Sequence, residues 1–524
     1  MNKNLKFIAA AAAAVLFSFS VHAQTEWDAY KLSQQFYTGT ARSASMGNAF
    51  TSLGGDLGAV SINPASSGVY RYSEFTFTPS LLVSKNTSDY LDNTYDDSKT
   101  RFSISNAGFM INNNTGHEDY GIISVNFGIV YNMLNNFSDK ISATGSTAKT
   151  SYLGSLAHAT NGINGESMDI NNFNDPYSNI ESGHWSSVLG WNTSLLDTLP
   201  GTSDRYKAAT ENLNGNIISV GGQLYQNFTR EVTGNVSETA FNVGMNIANT
   251  LFVGMNLGLQ SIYYKYKEYY SEQAANSADF YSGFESFSHS YHLKTTGTGI
   301  NVKVGAIFVP FKWLRLGASI TTPTWMYLTD EWHETMSSSF SDGYAQYLKS
   351  PLGSFEYRLT TPFRWNAGLS LVYPGIGVFS VDYESVNYSQ MRLRNRGGDD
   401  DYYGSFTSTN HYINEDFRNS DIWRTGIEIN VTDQLDLRGG YQFMSSGEKG
   451  YNEKFHTGSL GLGYHDASGF FVDLAYRQYM KKVSENFKLY GNVTDNDGNV
   501  EIESPTGRNK NTKWQVLATF GFRF

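Results

Sequence analysis

The stretch that decides the fold is Phe241-Asn242-Val243-Gly244-Met245-Asn246-Ile247, three turn residues, then Leu251-Phe252-Val253-Gly254-Met255-Asn256-Leu257-Gly258-Leu259-Gln260. Phe241, Val243, Met245 and Ile247 fall on one parity, and Asn242, Gly244 and Asn246 on the other. The same holds for Val253, Met255, Leu257 and Leu259 against Gly254, Asn256, Gly258 and Gln260. A period of two is that of a β-strand, whose side chains point alternately to its two faces. The link Ala248-Asn249-Thr250 is short enough only for antiparallel neighbours. The pattern returns at Leu314–Thr321, Phe363–Leu371 and Trp423–Val431. A water-soluble sandwich would show the same alternation, so the connections have to separate the two cases.

Working outward, fourteen strands are expected, at about 72–84, 101–112, 119–135, 237–248, 250–267, 290–310, 313–328, 354–373, 376–393, 415–431, 434–444, 454–466, 468–484 and 511–524. Their links alternate. Those around Asn249, Lys312, Gly375 and Asp433 are tight, whereas 86–100, 136–236, 268–289, 329–353, 394–414, 445–453 and 485–510 are long. Short turns on one side and long loops on the other, with an even strand number, are the layout of outer-membrane barrels. The expected fold is therefore all-β: a transmembrane antiparallel β-barrel of about 14 strands, residues 71–524, with a long external loop at 136–236.

The chain start agrees. Lys3 and Lys6 precede an apolar stretch from Phe7 to Phe19 and the small-x-small pattern Val21-His22-Ala23, the three-part layout of a secretory signal peptide over 1–23. The expected location is the outer membrane of a Gram-negative bacterium, with both termini periplasmic. The absence of cysteine excludes disulfide and thiolate chemistry, and the net charge of −11 argues against a nucleic-acid partner. The 35 Tyr, 34 Phe and 9 Trp suit aromatic girdles at two membrane surfaces. At the other end, Trp514, Val516, Ala518, Phe520, Phe522 and Phe524 share one face of the last strand. Phe520, Phe522 and the terminal Phe524 resemble the signal read by the barrel-insertion machinery, an expected partner together with outer-membrane lipid.

Residues 24–70 have no strand period. They contain the small-residue stretch Thr38–Phe50 with Gly47, then Gly54-Gly55-Asp56 and Asn63-Pro64-Ala65 just before the first strand. Such a segment reads as compact coil with short helices. On Met46-Gly47-Asn48-Ala49, Asp56 and Asn63-Pro64-Ala65 the chain resembles the FadL/TodX family of outer-membrane transport proteins for hydrophobic compounds. The resemblance implies that 24–70 is a hatch inside the lumen of a fourteen-stranded barrel. It also implies passive uptake of hydrophobic small molecules, such as long-chain fatty acids or similar lipids and aromatics. Outer loops would capture the ligand, hatch movement would release it, and neither cofactor nor enzymatic activity is needed. A monomer is expected.

The inferred inner faces carry Arg315, Arg364, Arg424, Arg438 and Arg477 with Asp382, Glu384, Glu428, Asp436 and Asp473. Pairing that holds the hatch or neighbouring strands is the favoured role, because buried charges need partners. The other role is a selectivity ring for an anionic head group. No metal or cofactor ligand is expected. His289 and His292, three apart on an extended chain, point to opposite faces, and the neighbours His465, Asp466 and Ser468 cannot form a catalytic triad. The competing function class is a surface receptor or adhesin on a barrel scaffold, for example a haem binder, with 136–236 as its recognition surface.

Overall fold

In the hairpin quoted above, the exposure of the two faces is the reverse of that in a soluble protein: Met255 is 51% exposed and its neighbour Asn256 0%. Apolar side chains face out and polar ones face in, which is how a strand crosses a bilayer around a polar lumen. The computed structural model describes residues 25–172, 175–215, 217–397, 406–450, 454–494 and 500–524. The 1–23 signal peptide lies outside the described residues.

Fourteen antiparallel strands close into a barrel. They are β1 (Glu74–Tyr90), β2 (Asn93–Asn114), β3 (Ile122–Thr147), β4 (Leu224–Ile247), β5 (Leu251–Ala274), β6 (Phe284–Phe311) and β7 (Leu314–Thr321 and Trp325–Phe340). There follow β8 (Gly353–Thr360 and Arg364–Tyr373), β9 (Gly377–Asn387 and Arg392–Asn395), β10 (Asn419–Asn430), β11 (Leu435–Ser445), β12 (Lys454–His465), β13 (Phe470–Lys488) and β14 (Thr506–Arg523). Each pairs with its sequence neighbours, and β14 returns to β1 from Glu74↔Arg523 to Asp89↔Arg508, so the sheet closes on itself. Pro323 and Pro362 lie in the interruptions of β7 and β8, where the ring nitrogen cannot join the ladder. The cross-bonds Thr361 N to Thr324 O (3.0 Å) and Thr324 N to Thr361 Oγ1 (2.9 Å) bridge the two breaks.

The paired wall reaches into several of the expected loops. Residues 86–100 form the tip of the β1–β2 hairpin, turned by Leu91 and Asp92 at φ 44° and 63°, the left-handed pair a two-residue turn needs. The expected external loop 136–236 is shorter than that span: β3 and β4 stay paired out to Thr147↔Leu224. Only 148–223 departs from the wall. It forms a cap with helices Tyr152–Thr160 and Trp185–Asn192, whose Leu153, Val188 and Leu189 are fully buried against barrel aromatics including Tyr270, Phe284 and Phe287. At the cap root, Glu272 of β5 accepts from Ser151 Oγ (2.7 Å), Tyr152 N (2.8 Å) and Gln226 Nε2 (2.8 Å).

The barrel's C-terminal end lies among the short turns, where Ser73 and Phe524 exchange backbone hydrogen bonds of 3.1 and 3.0 Å. Thr25 lies toward the other end of the barrel. It caps helix α1 (Glu26–Ser33), which stands in the long-loop half of the lumen, with Trp27 5.1 Å from the Phe417 ring.

Candidate functional site

The hatch descends through the lumen from α1. Gln34–Thr38 run extended, α2 (Ala41–Ser45) follows, and a 3-10 turn over Pro64–Val69 leads out to β1. Asn63 caps that turn with Oδ1 on Ala65 N (3.0 Å). Its Nδ2 donates to Thr51 O (2.6 Å) and to Ala306 O in the wall (3.2 Å). Pro64 starts the turn, where a missing N–H costs nothing. Asp56 accepts from Thr40 Oγ1 (2.8 Å), Gly58 N (2.8 Å) and Ala59 N (3.2 Å), which ties the two halves of the hatch together. Burial pushes the Asp56 carboxyl above its usual range, against the pull of the nearby Arg42 guanidinium and the Thr40 hydroxyl.

The wall receives the hatch in sockets made of glycine. A side chain at Gly305 would run into Asn63, at Gly254 into Pro64, at Gly317 into Thr51, at Gly426 into Met46 and at Gly440 into Gly47. Gly244, Gly254 and Gly305 lie side by side across β4–β6, as do Gly426 and Gly440 across β10–β11. Gly47, at φ 64°, presses its own α-carbon toward the β11 backbone at Tyr441. Inward asparagines then hold hatch carbonyls: Asn242 takes Pro64 O (3.1 Å) and Asn256 takes Val60 O (2.7 Å).

All ten charges singled out from the sequence are inside the barrel and have partners, Arg477 at Tyr37 O (3.1 Å) and Asp382 at Thr51 N (2.7 Å) among them. Glu428 is shared by Arg42 of the hatch (2.8 Å) and Arg438 of β11 (2.6 Å). Arg438 also reaches Asp436 (2.9 Å) and Asp473. Glu384 lies between Arg364 (2.9 Å) and Arg424. Arg364 also donates to Ser33 O (2.6 Å) and Arg315 to Leu53 O, both on the hatch. Three charges that take part escaped the sequence reading. Arg42 was visible only as one cation in a small-residue stretch. The fully buried pair Lys303–Glu238 (2.6 Å) sits at polar parities of β6 and β4 that the alternation would have flagged. His289 and His292 do face opposite ways. His289 is buried and bonds Glu334 (2.9 Å), while His292 stacks on His333 on the outer face.

Above these charges lies an apolar cluster. Ala29 and Leu32 of α1 pack with Met326, Leu328, Leu359 and Leu393 in one buried cluster. Beside it the wall is incomplete. β2 and β3 pair only between Asn106↔Asn132 and Asn114↔Ser124; above that, β2 pairs with β1 alone and β3 with β4 alone. β3 carries a bulge between Met133 and Asn135 at the foot of this seam. The extended hatch segment is bonded to that bulge. Phe36 N donates to Leu134 O (2.6 Å), Thr38 N and Oγ1 to Met133 O (3.3 and 2.7 Å), and Asn135 Nδ2 to Gln34 O (3.2 Å). Higher up, the seam is spanned by side chains: Lys99 to Val232 O (2.7 Å), Arg101 to Phe137 O (2.9 Å) and Lys140 to Asp97 (2.9 Å).

The architecture is that of a transmembrane barrel with a lumenal hatch, and its fold is FadL/TodX-like. A Pseudomonas aeruginosa FadL homologue superposes with a TM-score of 0.53 at 12% identity, covering 94% of this chain and 99% of that one. The deltaS2 mutant of the TodX monoaromatic hydrocarbon channel superposes with a TM-score of 0.50 at 11% identity, covering 93% and 98%. No family model and no curated protein matches the sequence.

Proposed function

We propose that this protein is an outer-membrane channel for passive, non-enzymatic uptake of hydrophobic small molecules, long-chain fatty acids or aromatics among them. The similar folds are those of a FadL homologue and a monoaromatic hydrocarbon channel. One observation carries the reading: the hatch segment Gln34–Thr38 is bonded to the bulge where the β2–β3 wall parts, beside an apolar cluster that α1 occupies. A ligand that displaces α1 from the apolar cluster reaches the seam without crossing the charged lower lumen. It leaves sideways into the membrane, where an apolar solute is stabilised by about 25 cal/mol per Å² of its surface taken from water. The moving part is the upper hatch, 25–38, because residues 40–70 are seated in the glycine sockets.

The test uses the mature protein in liposomes, with a fluorescent long-chain fatty acid and toluene as probes and ion conductance measured in parallel. Full-length protein should accelerate transfer of at least one probe over empty liposomes. Removal of 25–38 should abolish most of that acceleration with little change in conductance, whereas removal of 27–62 should raise conductance. Probe transfer no faster than in empty liposomes, or transfer indifferent to loss of 25–38, would overturn the reading in favour of a surface receptor built on a barrel.

A further inference from the structure

The outer face of β5–β9 turns cationic just above the apolar belt. On β5 the outward residues run Met255, Leu257, Leu259, Ser261, Tyr263, then Lys265 and Lys267. With a rise of about 3.3 Å per residue and the tilt of a barrel strand, Lys265 stands roughly 5 Å above Tyr263, at head-group depth. Across the ladder, Lys265 faces Lys294 of β6 and Arg358 of β8 faces Arg394 of β9. Arg358 also lies over the ring of Tyr327, 5.0 Å from its centroid.

Like charges directly opposite one another destabilise a sheet. Neighbouring carboxylates relieve only part of this repulsion. Glu331 pairs with Lys294 (2.9 Å), Glu231 with Lys99 (2.9 Å) and Glu356 with Arg396. Lys265, Lys267, Arg358 and Arg394 make no ion pair within 4 Å among the described residues, and Glu231, which stands opposite Lys267, is already paired with Lys99. In a chain of net charge −11 that is a local excess of cations, placed where a bilayer presents its phosphates.

We propose that this strip binds the phosphate groups of anionic outer-leaflet lipids, one group at Lys265 and Lys267 and a second at Arg358 and Arg394. Arginine offers a phosphate two parallel N–H donors and lysine a mobile point charge, so the strip suits phosphates on a laterally diffusing head group. Such binding fixes the barrel's height and rotation relative to the leaflet into which the strands project. The proposal rests on the outer-membrane reading and is independent of transport.

The experiment uses the full mature chain in neutral detergent. A bisphosphorylated glucosamine-disaccharide lipid and its dephosphorylated counterpart are each added, and retained lipid is counted by native mass spectrometry. Three variants are compared: K265Q/K267Q, R358Q/R394Q and, as a control on the opposite wall, K85Q/K510Q. Wild type and the control should retain the phosphorylated lipid, and each strip variant should retain at least five-fold less. Dephosphorylated lipid should wash off every protein, and equimolar inorganic phosphate should not compete. Equal retention by the strip variants, equal retention of the dephosphorylated lipid, or full competition by phosphate would overturn the proposal. Heat-modifiable mobility checks that each variant is folded, and fatty-acid transfer by the same preparations shows whether the transport reading stands apart from it.

Discussion

The carbonyl of Met133 accepts two hydrogen bonds from Thr38, one from its amide at 3.3 Å and one from its hydroxyl at 2.7 Å. The hatch is thus coupled to the barrel wall at the bulge where the β2–β3 pairing stops. Thr38→Val keeps the volume and the amide bond but leaves the carbonyl one donor short. A buried hydrogen bond of this kind is worth about 1 kcal/mol, or roughly five-fold in a local opening equilibrium. Amide exchange at Phe36 and Thr38 should therefore quicken by that factor, with the barrel strands unchanged. Unaltered exchange at these two amides would show that the hydroxyl does not hold the segment.

The glycine sockets make a second prediction. Gly440→Val places a branched side chain where the backbone of Met46 and Gly47 lies. The outward belt is untouched, so the strands should insert and close, but the lower hatch should be forced out of place. Single-channel recordings should show conductance above wild type, and a protease should cut within 40–70 faster. An outward position such as Leu437→Val on the same strand should change neither.

Glu384 answers two fully buried guanidiniums, those of Arg364 and Arg424. Glu384→Gln removes the charge and keeps the shape. Stranding buried charge in this way typically costs about 3–5 kcal/mol. The temperature at which the folded, fast-migrating band disappears on a heat-modifiability gel should fall well below that of wild type. The double variant Glu384→Gln with Arg424→Met should recover part of the loss.

The strands were readable from sequence wherever one face meets lipid and the other the lumen, because that contrast imposes the alternation seen at Phe241–Ile247. Where the wall rises clear of the bilayer the contrast disappears. Asn86–Thr100 is largely polar on both faces and read as a loop, although it is a regular hairpin. For the same reason β3 and β4 extended further into 136–236 than expected. The lower hatch was legible through Asn63-Pro64-Ala65, whose turn chemistry is local. Its attachments were not, since Arg42–Glu428 joins residues far apart in the chain, and nothing local in Gly305 says that an asparagine side chain must fit against it.

Phe524 stacks against Phe109 of β2 at 6.0 Å and against Phe522 at 6.2 Å, on the outward face. Phe524→Asp removes the last apolar side chain of the closing strand and puts a charge at the membrane rim, unfavourable by up to about 1 kcal/mol near an interface. The larger expected effect is on insertion. Folded barrel recovered from the membrane should drop several-fold, while urea-solubilised protein refolded into detergent should reach near-normal yield. Normal membrane levels would show that the terminal aromatic is not read during assembly.

The barrel is sealed by its first and last strands, Glu74–Asp89 against Arg508–Arg523. Its contents are held by buried ion pairs and by sockets that admit only backbone. A finished cylinder of this kind has no route by which residues 40–70 could be threaded in afterwards. Residues 40–70 must therefore already lie inside the curling sheet when the final strand arrives. Each inward glycine thereby records an order of events as well as a fit, and a chain supplied with its hatch as a separate peptide should form empty barrels.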